Sequence, residues 1–132
     1  MTPARTIVIA ALLGLTGVAA GAFGAHGLRD HVDAHALEVW ATGARYQQIH
    51  AVALLVVGMT GGPWTRARGL AAVLLTVGML VFAGTLYGLA LGGPKILGAI
   101  TPLGGLALIA GWAALVWHGI VMARTRRDET QA

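Results

Sequence analysis

The chain has 132 residues, 57% of them hydrophobic and 11% charged, with a mean hydropathy of +0.76. A soluble domain this small needs far more charge to cover its surface, so the composition excludes one and reads as a single integral membrane domain. The net charge is +4, but its nine Lys and Arg residues punctuate the ends of apolar runs, which argues against nucleic acid; the lack of cysteine excludes disulfides, iron–sulfur clusters and thiolate zinc.

Thr6 to Leu28 holds no Asp, Glu, Lys or Arg. As a helix it is long enough to cross a hydrocarbon core of about 30 Å. The basic lead Met1 to Arg5 and the small residues Val18-Ala19-Ala20 also resemble a signal peptide, but the apolar run continues past them. Ala10, Gly14, Gly17, Gly21 and Gly24 recur every three or four residues. That spacing predicts one helix face along which a neighbour packs closely.

Arg29 to Arg45 is the polar connection. Asp33 is a candidate N-cap for a helix beginning near Ala34. Its pattern predicts an amphipathic interfacial helix over residues 34–45, with Trp40 at the headgroup boundary. A second span is expected over 46–64, closed by Gly61-Gly62-Pro63. Thr65-Arg66-Ala67-Arg68 reads as a short basic turn, and a third span follows over 69–91. Gly92-Gly93-Pro94 turns the chain into a fourth span over 96–122, where Pro102 falls in the second turn and invites a kink. Thr101 beside it is placed to satisfy the carbonyls that proline leaves unpaired. Arg124, Arg126 and Arg127 stop the membrane segment ahead of a solvated tail. The expected fold is thus an all-α four-helix membrane bundle with an interfacial helix between spans one and two. Arg5, Arg66, Arg68, Arg124, Arg126 and Arg127 lie at one end, against Arg29, Arg45 and Lys95 at the other. The imbalance predicts both termini in the cytoplasm.

Gly21-Ala22-Phe23-Gly24-Ala25-His26-Gly27-Leu28, Trp40, Tyr46-Gln47, His50-Ala51, Gly84-Thr85-Leu86-Tyr87 and Ile100-Thr101-Pro102-Leu103-Gly104-Gly105 follow one another in collinear order. In them the chain resembles the small bacterial inner-membrane proteins classed as domain of unknown function 423, relatives of a eukaryotic transmembrane protein 256. The resemblance covers nearly the whole chain and implies four transmembrane helices, without an activity. Where that family commonly carries a serine-rich lead into the leucine–tyrosine pair, this chain has Ala83-Gly84-Thr85, which puts a serine-specific role in doubt.

The topology brings His26, Arg45, Tyr46, Gln47, His50, Tyr87, Lys95 and Thr101 towards one membrane face, the candidate polar cluster. A structural reading has His26 ending the first span and meeting Tyr46 and His50 in interhelical hydrogen bonds. A second gives His26 and His50 a metal or haem, although two histidines do not close a zinc site. A third is a proton or small-solute path in a homo-oligomer; the spans lack the carboxylate usual in proton relays. No serine or cysteine offers a nucleophile, so no catalytic role and no cofactor are expected. Helix packing is assigned to Gly14, Gly17, Gly21, Gly24, Gly84 and Gly105. The expected role is a packing scaffold or accessory subunit whose partners are lipid, further copies or other membrane subunits; the alternative is a transporter or channel.

Overall fold

The structure, a computed structural model, describes residues 1–131 and the side chains of residues 1–125. Among them there are four helices in antiparallel succession: α1 (Pro3–Ala22), α2 (Ala34–Met59), α3 (Arg66–Ala90) and α4 (Ile96–Gln131). A π-helical turn, Phe23–Leu28, continues α1. It is an all-α membrane protein. Three helical stretches are long and apolar enough to cross a membrane, Pro3–Leu28, Arg66–Ala90 and Ile96–Thr125.

The helix ends follow local chemistry. Thr2 caps α1, accepting from the Arg5 amide, with Pro3 where a missing N–H costs nothing. The Asp33 carboxylate accepts from the Ala36 amide at 2.7 Å and starts α2. Thr65 does the same for α3 through the Arg68 amide at 3.2 Å. At the end of α3, Gly92 takes φ +79°, and the amides of Gly92 and Gly93 donate to the carbonyls of Leu89 and Gly88. This left-handed cap satisfies the last carbonyls, and Pro94 cannot extend the helix.

α2 corrects two expectations. No separate interfacial helix exists at 34–45; that segment and the second span form one unbroken helix of 26 residues, about 39 Å long. It ends at Met59, five residues before Trp64, because Gly62 turns the chain with φ +91°. α2 is not among the stretches that qualify as spans by composition. It packs beside α1 throughout. Gly24 abuts Trp40 at one end and Gly58 abuts Ile7 at the other. Two of its polar side chains, Gln47 and His50, are buried among neighbours.

Backbone contacts run in chain order, α1 on α2, α2 on α3, and α3 most closely on α4. The main core joins Ala10, Leu54, Ala72, Leu75, Met79 and Leu108 from all four helices. A second, around Leu28, Trp40 and Ala90, sits at the end that carries the π turn.

Glycine packing divides differently from the sequence expectation. Gly17, Gly21 and Gly24 do meet α2; a Cβ on them would lie 3.1 Å, 3.1 Å and 2.5 Å from Gln48, Gln48 and Trp40. Gly14 is in ordinary contact with Ala51, at 3.9 Å. Gly84 has nothing within 4 Å and Gly105 only the Phe82 ring at 3.9 Å. The tight α3–α4 seam is built by Gly78, Gly104 and Gly111 instead. A Cβ on Gly104 would stand 2.5 Å from the Phe82 amide nitrogen and 2.9 Å from the Gly78 carbonyl. One residue along a helix turns the side-chain direction by 100°, so Gly105 points away from the seam that Gly104 forms.

The fourth helix does not stop at residue 122 but continues to Gln131; the side chains of Arg126 and Arg127 lie outside the described residues.

Candidate functional site

The polar groups of the interior form three nodes, two of them centred on α2. Gln47 is the centre of the first node. Its amide nitrogen donates to the Leu13 carbonyl at 2.9 Å and to Thr16 Oγ1 at 2.8 Å. Its Oε1 accepts from the Tyr87 hydroxyl at 2.8 Å. Thr16 spends its own proton on α1, towards the carbonyls of Leu12 and Leu13. Both amide hydrogens and the phenolic hydrogen are therefore used, and the node ties α1, α2 and α3 together.

His50 forms the second node, between α2 and α4. Its Nδ1 lies 2.7 Å from the Tyr46 carbonyl, which can only accept, so Nδ1 carries the hydrogen. Its Nε2 takes the Trp112 indole N–H at 3.2 Å, a group that can only donate. The two partners fix the Nδ1–H tautomer and occupy both ring nitrogens. The Tyr46 ring stacks on His50 with centroids 5.8 Å apart and packs against Phe82 at 4.7 Å.

Thr85 and Thr101 make the third node, their hydroxyl oxygens 2.8 Å apart across α3 and α4. Each also lies within reach of a carbonyl of its own helix, Val81 and Leu97. Two protons serve these contacts, so one hydroxyl donates across the seam while the other donates back. Thr101 thus locks α4 to α3, and its own-helix partner, Leu97, is not the Gly98 carbonyl that Pro102 leaves without an amide.

The expected cluster is therefore three separate nodes, and three of its members, His26, Arg45 and Lys95, stand outside them. His26 is exposed on the π turn. It cannot meet Tyr46 and His50: Gly24 is level with Trp40, and His50 lies ten residues further along α2, about 15 Å away. A ligand shared by His26 and His50 is excluded by the same distance, and among the described residues no three His, Cys, Asp or Glu side chains gather as a metal-holding group. Arg45 is also exposed, on the opposite side of α2 from the Gln47 node. Lys95 is exposed in the α3–α4 loop.

The π turn has a cause in the tertiary structure. The Trp40 indole donates to the Ala20 carbonyl at 2.7 Å. The Phe23 amide is shared between the carbonyls of Ala19 and Ala20, and the π register begins there. An inserted side-chain donor in the helical ladder is a standard origin of such a bulge. Gly24 gives the indole room, and Phe23 and Tyr87 flank it with centroids 5.5 Å and 4.4 Å away. The motif over residues 21–28 is a seat for Trp40, and it prolongs the helix without ending it.

Arg68 is the residue that sequence reasoning misplaced. It is not a loop cation but is buried to 3% exposure. Its guanidinium donates to the Val57 carbonyl through Nε at 3.0 Å and through a terminal nitrogen at 2.6 Å, and also to the Thr60 carbonyl. Trp64 covers it at 4.7 Å. The group caps α2 from the next helix, a favourable place for a cation. Beside it, Thr65 Oγ1 and His118 Nδ1 are 2.9 Å apart, joining α3 to α4. Thr16, Trp112 and Thr85 were also missed as partners; each is a lone polar group in an apolar run, a signal that demands a partner without naming it.

Residues 20–105, from the last turn of α1 through Gly105, match the family described as "Protein of unknown function (DUF423)". A UPF0382 membrane protein of Staphylococcus aureus is 41% identical over 83% of this chain and 90% of its own length. The corresponding proteins of Staphylococcus epidermidis and Staphylococcus saprophyticus are 43% and 42% identical over the same 83% of this chain, covering 90% and 92% of theirs. No solved structure matches the chain. The chain belongs to the DUF423 family of bacterial membrane proteins.

Proposed function

We propose that this DUF423 protein is a non-catalytic packing subunit of the bacterial inner membrane, an interlocked helical unit that assembles with further copies or with other membrane proteins. The observation that carries the reading is the closure of the interior. Among the described residues no buried side-chain nitrogen or oxygen lacks a hydrogen-bond partner. Gln47, His50, Thr85 and Thr101 spend their donors and acceptors on the chain itself, and each interhelical bond contributes about 0.6–2 kcal/mol while specifying which helices meet. His50 has no lone pair left for a metal or a migrating proton while Trp112 donates to it.

The exterior supports assembly. A cleft of about 270 Å³ runs between α1 and α3, with Thr16, Ala20, Ala83 and Gly84 on its walls. Gly84 has open space before it. Small residues facing outward in a membrane helix admit the close approach of another helix. The excess of arginine at the end with the termini, including exposed Arg5, Arg66 and Arg124, favours both termini in the cytoplasm.

The chain has no native cysteine, so Gly84→Cys supplies a unique thiol for cross-linking in native membranes. The expected result is a discrete cross-linked species, matched by a dimer or larger assembly in native mass spectrometry after mild extraction. A monomer free of partners in both measurements overturns the proposal. Fusions of alkaline phosphatase and of a fluorescent protein to the C-terminus test the orientation; an active phosphatase fusion contradicts it.

A further inference from the structure

We infer that the groove between the π-helical end of α1 and the first half of α2 is a binding site for an anionic phospholipid. The groove has a volume of about 610 Å³, within the range of sites that bury a small organic ligand. Its walls are Gly21, Gly24 and Ala25 on one side and Trp40, Ala41 and Ala44 on the other. The two cations that line it are Arg29 and Arg45, both exposed.

The position of Arg45 carries the argument. Trp40 lies level with Gly24, near the end of the first span, and Arg45 is rooted five residues further along α2, about 7–8 Å deeper. A guanidinium rooted at that depth and open to lipid is costly unless it rises to the interface or meets an anion. Arg29 follows the π turn directly and stands at the interface above the same groove. The acidic side chains of this end, Asp30, Asp33 and Glu38, do not line the groove, and the Asp33 carboxylate is committed to the Ala36 amide. Gln48, at the deep end, donates to the Gly17 carbonyl at 2.8 Å and closes the floor.

Charge and shape select one occupant. Two arginines hold a phosphodiester, Arg29 from above and Arg45 reaching up from below, and the small-residue trough between them takes the glycerol backbone and the start of an acyl chain. A zwitterionic lipid offers the same phosphate but adds a cation, which the arginines repel. A partner helix would fit the trough but would leave two cations unmatched. The site is independent of the interior nodes and of the cleft at Gly84.

The test uses the full-length protein in nanodiscs of equal phosphatidylglycerol and phosphatidylcholine with matched chains, with retained lipid counted by native mass spectrometry. Phosphatidylglycerol is expected to be enriched about fivefold or more, and Arg45→Gln and Arg29→Gln each to lower the enrichment about fivefold. Lys95→Gln, at the same membrane end but off the groove, leaves it unchanged. Ala41→Leu, which fills the trough and keeps the charge, lowers retention of both lipids. Soluble glycerol phosphate in excess does not compete. Thermal unfolding confirms that each variant is folded, and exposure of both arginines makes the glutamine variants tolerable. Equal retention of the two lipids by the wild type overturns the proposal. So does a loss in Lys95→Gln as large as in Arg45→Gln, or displacement by glycerol phosphate, since either means surface charge alone is responsible.

Discussion

Gly104→Ala and Gly105→Ala form a matched pair that separates helix propensity from helix packing. Both residues are in α4, one position apart, and both gain the same intrinsic preference for alanine over glycine, about 0.5–1 kcal/mol. That gain cancels in the comparison. At Gly105 the added methyl lies 3.9 Å from the Phe82 ring, an ordinary contact. At Gly104 it lies 2.5 Å from the Phe82 amide nitrogen and 2.9 Å from both the Phe82 Cα and the Gly78 carbonyl. These are backbone atoms that no rotamer change removes, so the helices must part by about 1 Å to restore normal contact. Overpacking costs about 1–3 kcal/mol, and an unyielding backbone places this case near the upper end. Separation of α3 from α4 also stretches the Thr85–Thr101 contact at the same seam. Gly105→Ala is therefore expected to be neutral or slightly stabilising, and Gly104→Ala to be about 2–3 kcal/mol worse than it. Unfolding in mixed detergent micelles, followed by tryptophan fluorescence, measures the gap. Equal midpoints for the two variants, or a more stable Gly104→Ala, would refute the assignment of the seam to Gly104.

Four further outcomes follow from the same geometry. Gln47→Leu removes three side-chain bonds and leaves the Tyr87 hydroxyl unpaired, and in the same unfolding assay it should cost about 2–3 kcal/mol. Arg68→Met keeps much of the stem but abandons the carbonyls of Val57 and Thr60; a loss of about 2–4 kcal/mol is expected, and a loss below 0.5 kcal/mol would show that the buried guanidinium is not the cap of α2. Trp112→Phe frees His50 Nε2, so carbethoxylation of His50, read by mass spectrometry, should rise severalfold over wild type. His26→Ala, at an exposed position, should shift stability by no more than about 0.5 kcal/mol.

The sequence alone determined that the chain is a helical membrane protein, and it located most helix ends, because those features rest on local chemistry. Apolar run length, the Asp33 cap and Gly92-Gly93-Pro94 each act within a few residues of themselves. It also marked Gln47, His50, Tyr87 and Thr101 as unusual, since a polar side chain in an apolar run has to be satisfied somewhere. Which partner satisfies it was decided by tertiary structure: Gln47 meets Thr16 and Tyr87, 31 and 40 residues away, and His50 meets Trp112, 62 residues away. The break expected at residue 45 is missing because packing beside α1 and α3 on both sides of that position, not local hydropathy, holds Ala34–Met59 as one helix. The choice of Gly104 over Gly105 likewise depends on where Phe82 stands. Arg68 shows the limit of counting charges, since its side turns on topology but its role turns on the carbonyls of a neighbouring helix. The π turn is the sharpest case. Residues 21–28 supply the small side chains that permit it, but the indole that makes it comes from Trp40 on another helix, and no local rule could place it there.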